Sequence, residues 1–235
     1  MIRRFTPDRP EVPDVPQEAT PELERDLLNM ASLNRRFGAW KSVMGKLSPL
    51  LRSREPLRIL DLATGSADIP RAVVRNARKW KCPISITAVE LQGATLEIAK
   101  KHSGDYPEIS FVQADILDYE PAASFDILMC NFVLHRFDEV DVIRLLRRFP
   151  LMAHHGVLIT DLRRSRLAQV SISGAAALFY RERMTLHDAS QSVERAFSYP
   201  ELHRLAVAAG WWGFEHRRIP YFRQLLWLDP EHPRR

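Results

Sequence analysis

The sequence predicts an α/β fold: a three-layer sandwich with a seven-stranded, mostly parallel sheet between helices. Short apolar runs rich in Ile, Leu and Val alternate with helical patterns from residue 57 to residue 162, which is typical of βαβ units. The first run, 57–62, leads into a small-residue turn, and the second, 84–90, ends in an acidic residue. Two further strand patterns after a last helix bring the number of strands to seven.

Composition limits the class of protein. The chain has 235 residues, of which 46% are hydrophobic, enough for one domain with a single core. The net charge is +5, but the basic residues are scattered as Arg doublets and form no tract with interleaved aromatics, so binding to nucleic acid is not expected. Two cysteines favour a reducing cytoplasm. No apolar run reaches the roughly 18 residues of a membrane span, and we expect no signal peptide.

The N-terminal part is predicted to be an arm followed by helices. Residues 1–20 carry Pro7, Pro10, Pro13 and Pro16, one at every third position, and this spacing favours an extended arm. Residues 21–52 repeat apolar side chains near every 3.6 positions, which predicts one or two amphipathic helices broken near Gly38.

The remaining elements follow from the same periodicities. Strands are predicted at 57–62, 84–90, 109–113, 125–131, 156–162, 211–219 and 221–228, and helices at 67–80, 93–102, 138–153 and 199–209. Runs apolar along their whole length are typical of strands covered on both faces. Gly210 is placed to end the last helix. The segment 163–198 breaks the alternation with a helical pattern, and we interpret it as a cap or lid inserted after the fifth strand.

The turn after the first strand predicts a site for an adenosine-containing cofactor. Gly65, between Ala63 and Ala67, lets backbone N–H groups approach a ligand at the start of a helix. Asp61, at the end of the first strand, can accept a hydrogen bond from an ammonium group or a loop amide. A carboxylate at Glu90 can accept both hydroxyls of a ribose. Asp115, after the third strand, can accept a proton from an adenine amino group.

These residues, in this order, resemble the class I S-adenosylmethionine-dependent methyltransferases. The segment Asp61-Leu62-Ala63-Thr64-Gly65-Ser66-Ala67 is similar to the family's first motif, D-x-G-x-G-x-G, with alanines in place of the first and third glycines. Residues 125–135 resemble the fourth-strand motif, and His154-His155-Gly156 stands where the family usually has P-G-G. The segment 33–41 and the pair Ala67-Asp68 resemble the branch that methylates ubiquinone and menaquinone precursors.

The resemblance implies S-adenosylmethionine as cofactor, the strand order 3-2-1-4-5-7-6 with strand 7 antiparallel, and a single methyltransferase domain over 21–235. It places candidate cofactor-binding residues at Asp61, Ala63, Thr64, Gly65, Glu90, Leu91, Asp115, Ile116, Asn131, Phe132 and Arg36.

The expected reaction is methyl transfer to oxygen or carbon of a small, largely apolar aromatic acceptor such as a phenol or quinol. His135 and His187, the latter followed by Asp188, are the candidate general bases, because histidine titrates near neutral pH. Arg163, Arg164 and Phe179 are the candidate substrate residues. The apolar pattern of 167–180 is typical of a hydrophobic pocket wall and suits a lipid-like acceptor. Peripheral contact with a lipid-like substrate and an oligomeric state are both left open.

Three other functions remain open. An RNA methyltransferase would suit the basic charge, but Asn131-Phe132-Val133-Leu134 lacks the Pro-Pro-aromatic pattern of amine methylation. A nicotinamide-dependent oxidoreductase also uses an acidic strand end, but only one of its three motif glycines is present. The altered first motif allows a non-catalytic protein that binds the cofactor or a partner. We expect no metal site, because the adjacent His154 and His155 are not spaced for joint ligation from one helix face.

Overall fold

The computed structural model describes residues 3–5, 18–165 and 191–231. Its seven strands are β1 (Leu57–Leu62), β2 (Ile84–Glu90), β3 (Ile109–Gln113), β4 (Phe125–Asn131), β5 (Ala153–Leu162), β6 (Glu215–Ile219) and β7 (Arg223–Leu228). Its helices are α1 (Pro21–Arg36), α2 (Ala39–Ser53), α3 (Asp68–Trp80), α4 (Gly93–His102), α5 (Glu139–Met152) and α6 (Tyr199–Ala208).

The strands form one sheet in the order β3-β2-β1-β4-β5-β7-β6. Strands β1 to β5 pair in parallel, while β7 is antiparallel to both of its neighbours, β5 and β6. The predicted fold class and strand order are therefore confirmed. Because the parallel strands share one direction, the residues that follow β1 to β5 meet at one edge of the sheet, which we call the carboxyl edge.

Helices cover the two faces of the sheet with separate cores. One core joins β1, β4 and β5 to α5 and α6 through side chains such as Leu128, Phe149 and Leu205. The other joins the same strands to α2 and α3 through side chains such as Leu47 and Val74. The inner strands are buried on both faces, which explains why their sequences read as apolar runs rather than as an alternation.

The predicted break in the N-terminal helices is confirmed at Gly38. Its φ of +70° lies in the left-handed region, where glycine is unstrained, and it separates α1 from α2. At the start of α1, the Thr20 side chain accepts a hydrogen bond from the N–H of Leu23 at 3.2 Å. Leu23 and Leu27 then pack against Ile98 of α4, so α1 lies beside the carboxyl edge.

Three strands begin at residues other than those predicted. Strand β5 begins at Ala153, three residues before the predicted 156, because His154 and His155 belong to a bulge that continues the strand. Strand β6 begins only at Glu215, since the preceding segment folds as a loop in which the indole N–H of Trp211 donates to the Leu146 carbonyl at 2.7 Å. Strand β7 begins only at Arg223, after Tyr221 and Phe222 turn with positive φ.

Most of the predicted arm and of the predicted cap lie outside the described residues. The single-domain boundaries 21–235 therefore stay a prediction. Within the described ranges, no helix combines the length and the apolarity needed to cross a bilayer.

The packing of β5 against β7 predicts a large cost for adding one carbon at Gly156. A Cβ atom there would collide with the indole ring of Trp227, so Gly156→Ala is expected to lower the free energy of unfolding by roughly 1–3 kcal/mol through overpacking. The control is Gly45→Ala in α2, where a Cβ meets nothing within 4 Å and a gain of about 0.5–1 kcal/mol is expected. Urea unfolding measures both variants. Equal stability of the two variants would contradict this packing.

Candidate functional site

A cavity of about 430 Å³ opens at the carboxyl edge of the sheet. Eleven of the residues singled out from the sequence line it: Asp61, Ala63, Thr64, Gly65, Glu90, Leu91, Asp115, Ile116, Asn131, Phe132 and His135. They come from four adjacent strand ends and the turns that follow them. The topology alone brings them together, because β3, β2, β1 and β4 are neighbours in the sheet.

Asp61 is a buried carboxylate at the end of β1. Its side chain is close to the Asn131 amide, which donates to Oδ1 at 3.5 Å. Burial, helped by the nearby charges of Asp68 and Glu90, raises the pKa of Asp61 to about 7 despite hydrogen bonds from Thr64 and Asn131 that lower it. Burial makes the ionised form of this carboxylate unfavourable. A cationic ligand would stabilise that form, because its charge compensates for the lost hydration.

Glu90, at the end of β2, is held in place by two backbone amides. Oε2 accepts the N–H of Gly65 at 2.9 Å, and Oε1 accepts the N–H of Gln92 at 3.2 Å. Each carboxylate oxygen has a second lone pair, so the fixed carboxylate retains acceptor capacity for two hydroxyl groups. The bond to Gly65 also ties the turn after β1 to the end of β2.

The turn between β1 and α3 adopts the left-handed conformation at three alternate positions. The φ angles are +56° at Ala63, +55° at Gly65 and +58° at Ala67. The two alanines thus occupy positions where glycine would be unstrained, and each carries a backbone cost of roughly 1–2 kcal/mol. The loop therefore holds the left-handed conformation at two alanines, with the associated backbone strain.

Strand β4 contributes a polar end and a strained aromatic residue. The Asn131 side-chain oxygen accepts a hydrogen bond from the Thr160 hydroxyl at 2.7 Å, which orients its amide nitrogen toward Asp61. The next residue, Phe132, has a φ of +56° and lines the cavity. On the other side of the site, the carboxylate of Asp115 accepts the N–H of Leu117 at 2.9 Å.

His135 and Asp161 form a buried pair beside the cavity. Nδ1 of His135 lies 2.7 Å from Oδ1 of Asp161, and Oδ2 of Asp161 accepts the backbone N–H of His135 at 3.0 Å. A carboxylate at Nδ1 holds the proton on that nitrogen and makes Nε2 the basic one. His135 is also among the residues that line the cavity.

The part of the cavity lined by residues after β4 and before β7 is aromatic and includes the buried guanidinium group of Arg223. Phe37 and Tyr221 meet edge to face with ring centroids 5.3 Å apart. Arg223 lies 4.9 Å from the ring centroid of Phe132, and burial lowers its pKa to about 10. Tyr221 and Phe222 have φ angles of +61° and +55°, so a strained turn presents two aromatic residues to the cavity.

Sequence reasoning missed several residues that line the cavity: Asp26, Thr95, Arg195, Tyr221, Phe222 and Arg223. The Thr95 hydroxyl is buried and has no hydrogen-bond partner among the described residues, as expected of a group that faces a ligand. A polar residue inside an apolar helix stripe was the available signal for Asp26 in α1 and Thr95 in α4. The sequence carried no such signal for Tyr221, Phe222 and Arg223, because the predicted strand 221–228 included the residues that form the turn.

Three predicted residues are not among the described residues that line the cavity. Arg36 is exposed at the end of α1. Arg164 is buried, and its guanidinium donates to both carboxylate oxygens of Glu201 and to the Ala196 carbonyl, which gives it a structural role. Arg163 follows β5 and its backbone N–H donates to Phe222. His187 and Phe179 lie outside the described residues.

Comparisons with known proteins agree with this geometry. Residues 59–156 match the family model described as a methyltransferase domain. A malonyl-[acyl-carrier protein] O-methyltransferase from Halalkalibacterium halodurans is 29% identical over 89 residues, which is 36% of this chain and 31% of that protein. The chain therefore aligns with about a third of the length of this curated relative.

Solved structures share the fold at low sequence identity. A putative O-methyltransferase from Nostoc punctiforme has a TM-score of 0.64 and 16% identity, over 93% of this chain and 64% of that one. Human N-acetylserotonin methyltransferase in complex with SAM has a TM-score of 0.62 and 15% identity, over 88% and 55%. The plantazolicin methyltransferase BamL, solved with SAH, has a TM-score of 0.59 and 15% identity, over 83% and 77%.

The raised pKa of Asp61 predicts a pH-dependent cost in stability. The folded-state pKa of about 7 exceeds the ordinary 3.8, so the folded protein binds the proton more tightly and its stability falls as the pH rises from about 4 to about 7. Asp61→Asn is expected to be more stable than the wild type near pH 8 by at least about 1 kcal/mol. Urea unfolding at both ends of this pH range measures the difference.

The control for this prediction is Asp105→Asn, which removes an exposed carboxylate. Its stability is expected to follow that of the wild type at every pH. An Asp61→Asn variant with the same pH profile as the wild type would show that the buried carboxylate is not the source of the slope.

Proposed function

We propose that this chain is a class I S-adenosylmethionine-dependent methyltransferase that binds S-adenosylmethionine at the carboxyl edge and methylates a small, largely apolar aromatic acceptor. The predicted family and its cofactor rest on the methyltransferase-domain match and on the shared fold. The narrower branch that acts on quinone precursors stays a prediction, as does the choice between oxygen and carbon as the methylated atom.

The observation that most supports the proposal is the alignment of three carboxylates along neighbouring strand ends. Asp61 and Glu90 lie at the carboxyl ends of β1 and β2, Asp115 follows β3, and all three line one cavity. In the proposed complex, Asp115 faces the adenine, Glu90 holds the ribose hydroxyls and Asp61 pairs with the ammonium group of the methionine part. The Thr95 hydroxyl, which has no hydrogen-bond partner among the described residues, adds a hydrogen-bonding group on the α4 side.

The acceptor is assigned to the aromatic side of the cavity. Phe37, Phe132, Tyr221 and Phe222 supply flat apolar surfaces, which suit an aromatic ring. The Arg223 guanidinium lies among them and can orient a hydroxyl or phenolate oxygen. The cofactor supplies a methyl group already activated by a sulfonium, so the protein mainly has to align the acceptor and exclude water.

His135 is the proposed general base for an acceptor hydroxyl. Its ring is held by Asp161 at Nδ1, and the proton from the acceptor would pass to Nε2. A phenol has a pKa near 10, so a base raises the fraction of its reactive anion. This step contributes about 10²–10⁴-fold where a general base operates.

The cofactor site is tested by calorimetric titration of S-adenosylhomocysteine. Glu90→Ala is expected to weaken binding by about tenfold or more, because it removes charge-assisted hydrogen bonds to the ribose. Glu90→Gln keeps one acceptor oxygen, so its affinity for S-adenosylhomocysteine should lie between that of the wild type and that of Glu90→Ala. Glu108→Ala, which removes a carboxylate just before β3 that is paired with Arg78, is the matched control and should bind like the wild type.

Two results would overturn the cofactor assignment. One is equal affinity of the wild type and a folded Glu90→Ala variant. The other is no binding by the folded wild type, which would mean that the strained alanine turn does not accept the cofactor and would favour the non-catalytic alternative.

The acceptor chemistry is tested by methyl transfer from labelled S-adenosylmethionine to a panel of simple phenols and hydroquinols. His135→Asn retains a side-chain donor toward Asp161, so it is expected to fold, to keep its affinity for S-adenosylhomocysteine and to lose about 10²–10⁴-fold in kcat. His102→Asn, at an ion pair with Glu24, is the control and should keep full activity. Full turnover by His135→Asn would contradict its role and leave His187 as the other candidate base.

A further inference from the structure

We propose that Asp126, His154 and His155 form a binding site for a divalent transition-metal ion, with Zn²⁺ as the best-suited ion. The three residues lie at the beginnings of β4 and β5, which is the edge of the sheet opposite the cavity. Each offers one ligand atom, and these atoms all lie within 4.8 Å of one another. The site is separate from the proposed cofactor and acceptor sites.

A β-bulge brings the two histidines together. Phe125 pairs with Ala153, and Ile127 pairs with Gly156, so two residues of β5 stand opposite Asp126 alone. In a regular strand, adjacent side chains point to opposite faces, whereas a bulge re-aims one of them. The two imidazole rings accordingly meet with centroids 4.5 Å apart. No metal site was expected from the sequence, because adjacent histidines cannot share one helix face, whereas here they lie in a bulged strand.

The distances suit a tetrahedral ion. Nε2 of His154 lies 3.2 Å from Oδ1 of Asp126, and zinc bonds of about 2.0–2.1 Å place neighbouring ligands roughly 3.3 Å apart. Nδ1 of His155 lies 3.3 Å from Oε2 of Glu231, so a second carboxylate stands beside the trio. Two imidazoles with one or two carboxylates form a ligand set that zinc accepts and that magnesium or calcium disfavours.

The other oxygen of Asp126 is already fixed. Oδ2 accepts the backbone N–H of Arg58 at 2.6 Å, which orients the carboxylate and leaves Oδ1 facing His154. Hydrogen bonds of this kind to a ligating carboxylate strengthen metal sites. His154 and His155 are half exposed, so an ion can enter from solvent and complete its coordination with water.

A bound ion would join three segments of the chain. It would connect β4 to β5 through Asp126 and the histidines, and it would reach the segment after β7 through Glu231. An ion that binds only the folded protein stabilises it in proportion to its concentration above Kd. We therefore assign the site a stabilising role at the amino edge of the sheet.

The test is calorimetric titration of ZnCl₂ into the metal-free, tag-free full chain, together with thermal unfolding with and without Zn²⁺. The wild type is expected to bind one ion and to unfold at a midpoint several degrees higher with Zn²⁺. Asp126→Asn keeps an oxygen that can accept the Arg58 N–H, and His154→Ala removes an imidazole. Each is expected to weaken binding by about tenfold or more and to abolish the thermal shift.

The control variant is His102→Ala, which removes a histidine on α4 paired with Glu24 and should bind Zn²⁺ like the wild type. Midpoints measured without metal show whether each variant is folded. The proposal is overturned if the wild type neither binds Zn²⁺ nor gains thermal stability, or if folded Asp126→Asn and His154→Ala variants bind as tightly as the wild type.

Discussion

The burial of the Asp61 carboxylate at the centre of the carboxyl edge is the constraint on which the proposed site depends. Asp61 lies near the carboxyl end of β1, the middle one of the parallel strands, and burial raises its pKa to about 7. The strands on either side supply Asn131, whose amide donates a hydrogen bond to Asp61, and Glu90, whose nearby charge helps to raise the pKa of Asp61. A cationic ligand reverses the cost of ionising Asp61, which is how a destabilising residue becomes useful for binding.

Backbone strain is concentrated at the same place. Of the seven non-glycine residues with positive φ in the described part of the chain, four line the cavity: Ala63, Phe132, Tyr221 and Phe222. Such conformations cost of order 1–3 kcal/mol each and persist where the surrounding structure holds them. The hydrogen bond from Gly65 to Glu90 is one such restraint. The strained conformations that shape the cavity therefore lower the stability of the folded protein.

The fold was predictable because its signals are local. Each inner strand is buried on both faces, so an apolar run marks it, and a strand's carboxyl end fixes where the next turn lies. That is why the cofactor-side residues from Asp61 to Phe132 were placed in the cavity from sequence. Arg164 shows the limit of this reasoning, because its position after β5 predicted a substrate contact while its guanidinium is bound to Glu201 and Ala196.

Features that depend on distant contacts were not predictable. The Asp161 partner of His135, the aromatic turn before β7 and the bulge at His154-His155 all arise from strand pairing between segments far apart in sequence. The register between β4 and β5, for example, is decided by packing across the whole sheet, and one extra residue in β5 changes which side chains face Asp126.

The most direct test of the central claim is a crystal structure of the protein with S-adenosylhomocysteine. The account predicts that the ribose hydroxyls lie within hydrogen-bond distance of the Glu90 carboxylate and that the ammonium group contacts Asp61. A ligand bound elsewhere, or bound in the cavity with its ribose away from Glu90, would contradict the account.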